Sequence, residues 1–189
     1  MDQLSGLIDS LVFSSEETGF TVARLKQPRE RELLTIIGTM PGVNPGETIH
    51  CKGNWKRHPQ HGRQFEVESF ELTAPVDVYG IQKYLESGLV KGIGPIYAER
   101  IVAHFGVKTL DIIDKVPHRL TEIEGIGRKR VDLIEQCWDE QKTIRNVMIF
   151  LQSHKVRPSY AQKIFKTYGE ASIEKVTENP YLLAVSYTH

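Results

Sequence analysis

Cysteine is scarce in this chain, with 2 among 189 residues. Cys51 and Cys137 lie far apart and could pair in principle, but a cytosolic chain usually keeps such thiols reduced, so we expect two free cysteines. No apolar run is long enough to cross a bilayer, and Met1-Asp2-Gln3 lacks the basic start and apolar stretch of a signal peptide. These absences predict a cytoplasmic protein with no membrane partner.

Net charge is also lacking, because Lys+Arg and Asp+Glu both total 24. The overall charge therefore gives no sign of a nucleic-acid partner, and any such affinity must come from a local arrangement. A hydrophobic content of 40% and a charged content of 25% are typical of soluble globular proteins. The length supports one large or two small domains.

Signatures of catalysis are absent as well. No Gly-x-x-x-x-Gly-Lys-Ser/Thr occurs, so the chain offers no nucleotide cradle and we expect no enzymatic activity and no cofactor in this chain alone. No catalytic residue is predicted, because no pair of carboxylates forms a metal motif of the kind that nucleases use. His50, Cys51, His58 and His61 match no familiar zinc spacing, and no metal site is predicted.

Residues 4–73 alternate between apolar and polar side chains, with polar turns rich in glycine and proline between the alternating segments. This pattern predicts five strands: Leu4–Phe13, Phe20–Lys26, Leu33–Met40, Thr48–Lys56 and Gln64–Thr73. Five short strands suit a small closed barrel over residues 1–74. The OB-fold is a barrel of this kind and often binds its ligand with the loop after its fourth strand, here residues 57–63.

That loop interleaves cations with aromatic residues. Trp55, Lys56, Arg57 and Arg63 are candidate nucleic-acid contacts, as in a platform for single strands. The alternative is a solvated hairpin with Trp55 and Phe65 in the core, and the sequence leaves both interpretations open.

After a predicted linker at residues 75–80, helical spacing takes over. Residues 81–142 contain two near-copies of one pattern, at residues 89–101 and 123–134, and each reads as helix, glycine turn, helix. We expect the glycines to accept positive φ, the isoleucine between them to be buried, and Pro95 to be a first helical residue. Free N–H groups beyond each turn would form a pocket for one phosphate. The candidate DNA-binding residues are Lys91, Gly92, Ile93, Gly94, Gly125, Ile126, Gly127, Arg128 and Lys129.

Residues 143–189 predict a third helical hairpin, which lacks the glycine pair. Thr143 is expected to open a helix over residues 144–153, and Ser159 to cap a helix over residues 160–168 that Gly169 ends in the left-handed conformation. The cations of this hairpin either contact phosphates or solvate one face: Lys155, Arg157, Lys163 and Lys166.

The glycine turns carry a family resemblance. The pattern x-x-Gly-Ile-Gly-x-x-x-Ala-x-x-Ile and its partner resemble the tandem helix-hairpin-helix motif of DNA repair and recombination proteins. The whole layout resembles the N-terminal region of RecD-like (RecD/TraA-type) DNA helicases. Several stretches carry this match: 19–25, 37–41, 45–47, 53–55, 58–65, the two glycine turns and 178–184. The resemblance implies an α+β fold, with an OB-like five-stranded barrel followed by an all-α tandem helix-hairpin-helix domain.

The resemblance also implies a function. In that family the region precedes an ATP- and Mg-dependent motor that moves 5′ to 3′ on single strands, so we expect this chain to grip the DNA backbone regardless of sequence, in repair or recombination. The expected partners are single-stranded or branched DNA and the protein's own motor, which a fragment ending before the motor would lack. Residues 185–189 depart from the family. A monomer is expected.

Two alternatives from other classes remain. A barrel followed by two helical hairpins is also the build of the RuvA-type junction-binding scaffold, a tetramer whose motor is a separate chain. The other alternative is a protein-docking module that regulates the helicase motor, which the balanced charge favours.

Overall fold

The structure, a computed structural model, describes residues 1–156 and 160–182, without the side chain of Gln152. It divides into two compact units, Met1–Trp138 and Asp139–His189. The five strands are β1 (Asp2–Ser14), β2 (Phe20–Lys26), β3 (Leu34–Thr39), β4 (Thr48–His58) and β5 (Gly62–Thr73). The α-helices are α1 (Val78–Glu86), α2 (Pro95–Phe105), α3 (Thr109–Lys115), α4 (Arg128–Ser153), α5 (Ala161–Tyr168) and α6 (Ser172–Glu178). The predicted Ser159 cap, Arg157 and residues 185–189 lie outside the described residues.

The five strands close into a barrel in the order β1-β2-β3-β5-β4. Only the β3–β5 pairing is parallel. The barrel closes because alternate side chains of every strand point inward and exclude water together, and its centre includes the fully buried Ile8, Leu25, Ile36 and Phe65. The predicted five-stranded OB-like barrel followed by helices is therefore confirmed.

The helical part of the first unit begins earlier than its sequence pattern suggests. The Asp77 carboxylate accepts a hydrogen bond from the N–H of Gly80 at 2.7 Å, so Asp77 caps α1 and the helix begins at Val78 rather than at Ile81. The second half of the predicted linker is therefore helical. Tyr79 Oη donates to Asp9 Oδ1 at 2.9 Å, which ties this first turn to the barrel.

The two glycine turns share one hydrophobic core with α1, α2, α3 and the first part of α4. Between α2 and the second repeat, the chain forms a 3-10 turn at Gly106–Lys108 followed by α3. Leu120 lies fully buried in a second 3-10 helix that begins at Pro117. This core holds both turns at the surface of one packed unit.

Helix α4 is longer than predicted. It runs without a break for 26 residues, so the expected new helix start at Thr143 is wrong. The stretch has no glycine or proline to end it, and the Thr143 hydroxyl donates back to the carbonyl of Asp139 at 3.1 Å as a residue inside a helix does.

The second unit has a small core of its own. Val147 and Leu151 of α4 pack with Ala161 and Ile164 of α5 and with Val176 of α6. Gly169 ends α5 with φ of 57° as predicted, but its ψ of −137° lies outside the left-handed helical region, so that detail of the prediction is wrong. Lys163 and Lys166 lie exposed on α5.

Candidate nucleic-acid interface

The two glycine turns have the same internal hydrogen bond. In the first turn (residues 92–94), the N–H of Ile93 donates to the carbonyl of Val90 at 3.3 Å, and in the second turn (residues 125–127) that of Ile126 donates to Ile123 at 3.1 Å. Ile93 and Ile126 are each only 4% exposed. The isoleucine between the glycines is thus a core anchor in both repeats, as its position predicts.

The two glycines of each turn have different structural roles. The first glycine has positive φ, 92° at Gly92 and 88° at Gly125. The second does not, since Gly94 is extended with φ of −95° and ψ of 179°, and Gly127 also lies outside the positive-φ region. The expectation of positive φ is therefore right for the first glycine and wrong for the second.

The space around each glycine also distinguishes the first glycine of a turn from the second. A Cβ on Gly125 would lie 2.8 Å from the Tyr97 hydroxyl, and one on Gly92 would lie 3.2 Å from the Ile134 side chain. A Cβ on Gly94 or on Gly127 would meet nothing within 4 Å. The fold thus demands glycine at the first position, while the second position faces open space at the surface.

A helix begins directly after each second glycine. The carbonyl of Gly94 accepts from the N–H of Ala98 at 2.8 Å, and that of Gly127 accepts from Val131 at 3.1 Å, so these glycines start the ladders of α2 and α4. Of the N–H groups ahead of those bonds, that of Arg130 also donates to Gly127, at 3.0 Å, and Pro95 has none. The N–H groups of Ile96 and Tyr97 in α2, and those of Arg128 and Lys129 in α4, have no partner within their helix and point out of its end. Each turn therefore offers backbone donors together with the positive end of a helix dipole, which suits one phosphate.

The charges around the two turns differ. The second turn is followed by Arg128 and Lys129, whereas the same places after the first hold Pro95 and Ile96, the latter 65% exposed. The first turn instead has a cation before it, Lys91. Lys91, Arg128 and Lys129 are exposed, and none forms an ion pair within the described ranges. Each turn thus has its own positive charge, which precedes the glycines in the first turn and follows them in the second.

The loop after β4 has a different character from the glycine turns. Phe65 is fully buried, and the Trp55 ring packs edge-on against it at 5.2 Å between ring centroids. The Arg63 guanidinium lies 3.7 Å above the Trp55 ring, and Lys56 Nζ pairs with Glu66 Oε2 at 2.6 Å. These contacts favour the solvated hairpin over an open stacking platform. Arg57 is an exposed residue of β4 opposite Arg63, and the turn of the hairpin is residues 59–61.

Comparison with known proteins covers nearly the whole chain. Residues 1–75 match the family model described as the OB-fold domain of the ATP-dependent DNA helicase YrrC. Residues 84–136 match the SAM-like helix-hairpin-helix tandem, and residues 140–188 match the helix-hairpin-helix domain of the ATP-dependent RecD2 DNA helicase. The resemblance to the N-terminal region of RecD-like DNA helicases is confirmed.

A curated relative gives the same result. The chain is 28% identical over 187 residues to the ATP-dependent RecD2 DNA helicase of Deinococcus radiodurans. The alignment covers 96% of this chain but 26% of the relative, so the chain spans about a quarter of the length of that helicase. The matches favour the RecD2-like interpretation over the junction scaffold.

The barrel exposes two aromatic residues, which the sequence pattern predicts at the ends of strands. Phe13 and Phe20 are 54% and 39% exposed, and their ring centroids lie 6.4 Å apart.

Tyr97 and Arg130 are not among the site residues predicted from the sequence, although both bridge the two glycine turns. Both residues lie three positions after the second glycine of their repeat, and this equivalent position is the feature of the sequence that could have identified them.

Across residues 1–156 and 160–182, no group of three His, Cys, Asp or Glu side chains could hold a metal ion. Cys51 and Cys137 are free and buried, and burial raises the pKa of the Cys51 thiol to about 11. No helix among the described residues is long and apolar enough to cross a membrane.

Proposed function

We propose that this chain is the DNA-binding N-terminal region of a RecD2-type 5′-3′ helicase that acts in repair or recombination, and that it grips the backbone of single-stranded or branched DNA. The observation that carries the proposal is the open space at Gly94 and Gly127. Neither glycine is required by φ or by packing, yet both lie exposed beside free helix N–H groups. A side chain there would obstruct a phosphate that approaches the backbone.

The chemistry of the turns accounts for binding without sequence preference. Backbone N–H groups and the cations Lys91, Arg128 and Lys129 match phosphate oxygens, and phosphate contacts position a protein on DNA without reading bases. Because few cations take part, we expect micromolar or weaker affinity and the release of on the order of two to four counterions.

The region's contribution to the helicase is passive in this proposal. Its sequence has no Walker-type glycine loop, so ATP and Mg would be bound by the motor domains of the longer family proteins. The region would hold DNA while the motor, its expected intramolecular partner, moves along one strand.

The direct test reverses the charge beside the second turn. In Arg128→Glu/Lys129→Glu the glycines remain, and acidic residues in the first turn of α4 suit the helix dipole, so the melting temperature should barely change. We expect affinity to fall several-fold on every DNA sequence alike, and the plot of log affinity against log salt to flatten.

A matched control is Arg29→Glu/Arg31→Glu, which makes the same charge change at two exposed residues between β2 and β3. Fluorescence anisotropy with single-stranded, duplex and forked DNA across a salt series measures all three proteins. If the test and control variants lost DNA affinity equally, the loss would be explained by the change in net charge and not by the second turn. Unchanged affinity and slope in the folded test variant would refute the role of the second turn.

A second candidate function is docking of a protein, which the exposed pair Phe13 and Phe20 favours. The loop next to this pair carries Glu16 and Glu17, whose charge opposes a DNA backbone. If the pair docks onto the motor domains, Phe13→Ser/Phe20→Ser should leave DNA affinity unchanged and weaken association with a separately purified motor. A large loss of DNA affinity instead would place DNA on this face of the barrel.

A further inference from the structure

Tyr97 and Arg130 occupy the same position in the two repeats. Arg130 Nη1 donates to the carbonyl of Gly92 at 3.0 Å, and Tyr97 Oη donates to the carbonyl of Gly125 at 3.3 Å. Each side chain thus leaves its own repeat and bonds to the first glycine of the other. The two glycine turns are joined by a reciprocal pair of hydrogen bonds.

The same two side chains also contact each other. The Arg130 guanidinium carbon lies 4.3 Å above the centre of the Tyr97 ring, and both residues are half-buried. At this distance a cation and an aromatic face attract each other, more strongly where water is partly excluded. Arg100 strengthens the junction, because its Nη1 donates to the carbonyl of Glu124 at 3.2 Å.

Arg130 therefore differs from the two cations that precede it in sequence. Arg128 and Lys129 are exposed, whereas the guanidinium of Arg130 is engaged by a carbonyl and an aromatic ring. We propose that Tyr97 and Arg130 are positioning residues that latch the two glycine turns at one fixed separation, so that the turns hold two phosphates of DNA as a single clamp. The inference rests on the proposed function and assigns Arg130 no phosphate contact.

The latch predicts a specific signature. A clamp held at the right spacing has less to order on binding, so loosening it weakens affinity without removing a phosphate contact. Tyr97→Phe deletes only the hydroxyl that bonds to Gly125, and Arg130→Gln removes the stacked guanidinium. We expect each to lower DNA affinity about three- to tenfold, the range of one lost hydrogen bond, with the salt slope unchanged. Removal of a cation that binds phosphate would instead flatten the plot of log affinity against log salt.

The binding test compares these two variants, their double mutant and Arg128→Gln/Lys129→Gln by anisotropy across a salt series. The latch predicts that the double mutant loses less than the product of the single losses, because either change alone opens the same junction. A flattened slope in Arg130→Gln, with normal affinity in Tyr97→Phe, would make Arg130 a phosphate ligand and overturn the proposal. Unchanged affinity in both variants would overturn it as well.

A second measurement needs no DNA. Glu99 and Asp132 are exposed residues at equivalent positions of α2 and α4, five residues after the second glycine of each repeat. Spin labels on Glu99→Cys and Asp132→Cys report the separation of the repeats, with buried Cys51 and Cys137 left in place. We expect a narrow distance distribution that widens in Tyr97→Phe and in Arg130→Gln, and an unchanged distribution would refute the latch. If the unaltered protein bound no DNA, the proposed function would fail and the clamp with it, while this measurement would still decide whether the latch exists.

Discussion

Alanine placed at each of the four turn glycines should separate the fold from DNA binding. At Gly92 and Gly125 the positive φ alone costs a side chain about 1–3 kcal/mol, and the new Cβ would crowd Ile134 or Tyr97. At Gly94 two smaller effects oppose each other. Alanine restricts the unfolded chain, which stabilises by about 0.4–1 kcal/mol, but it is a poorer N-cap than glycine by a similar amount.

For a chain of this size, 1 kcal/mol shifts the melting temperature by roughly 2–4 °C. We therefore expect Gly92→Ala and Gly125→Ala to melt about 2–12 °C lower. Gly94→Ala and Gly127→Ala should melt within a few degrees of the unaltered protein.

DNA binding should show the opposite ranking. The alanine methyl at residue 94 or 127 would stand where the phosphate approaches, so both variants should lose affinity while remaining folded. Thermal melting by circular dichroism and DNA anisotropy on the same samples give the two readouts, and Gly94→Ala/Gly127→Ala provides the largest effect. Full affinity in that double variant, with normal melting, would show that the turns do not bind phosphate through their backbone.

The hydrogen bond from Arg119 holds the pKa of the Glu122 carboxyl at about 2, below its ordinary 4.5, so its stabilising effect is present above pH 4.5 and is lost as pH falls toward 2. Glu122→Gln should remove that part of the dependence of melting temperature on pH, and an unchanged profile would contradict it. The buried Cys51 thiol should react slowly with maleimide at pH 8 until the protein is denatured, and fast labelling of folded protein would be inconsistent with its burial. Arg63→Ala should increase acrylamide quenching of tryptophan fluorescence because it uncovers the Trp55 ring, whereas equal quenching would refute the stacked geometry.

The barrel could be predicted from sequence because its determinants are local. Alternation such as Thr21-Val22-Ala23-Arg24-Leu25 places every second side chain inside, and turn residues mark where each strand ends. The predicted bounds of β2 agree with the structure, while β1, β4 and β5 extend one or two residues further at one or both ends. Those extra residues pair with a neighbouring strand, as His58 does with Gly62 and Asp2 with Gly53, so their state depends on a partner strand rather than on their own pattern.

Features that depend on distant contacts were harder to predict. The interleaved aromatics and cations near Trp55 suit stacking as well as packing, and the contacts of the Trp55 ring with Phe65 and with Arg63 favour packing. Thr143 resembles a helix start because threonine is a good N-cap, yet the preceding residues continue the helix and the hydroxyl bonds inside it.

Internal repetition explains both what the sequence revealed about the glycine turns and what it concealed. Two copies of one pattern share local demands, so the buried isoleucine and the positive φ of the first glycine follow from either copy. The residues that join the copies are not repeated, because Tyr97 and Arg130 differ chemically and each bonds to a glycine of the other repeat. Aligning the repeats finds their common position, but only the packed structure shows that a tyrosine and an arginine complement each other there as ring and cation. In a tandem motif, a position where the two copies carry different but complementary residues is therefore a place to look for contacts between them.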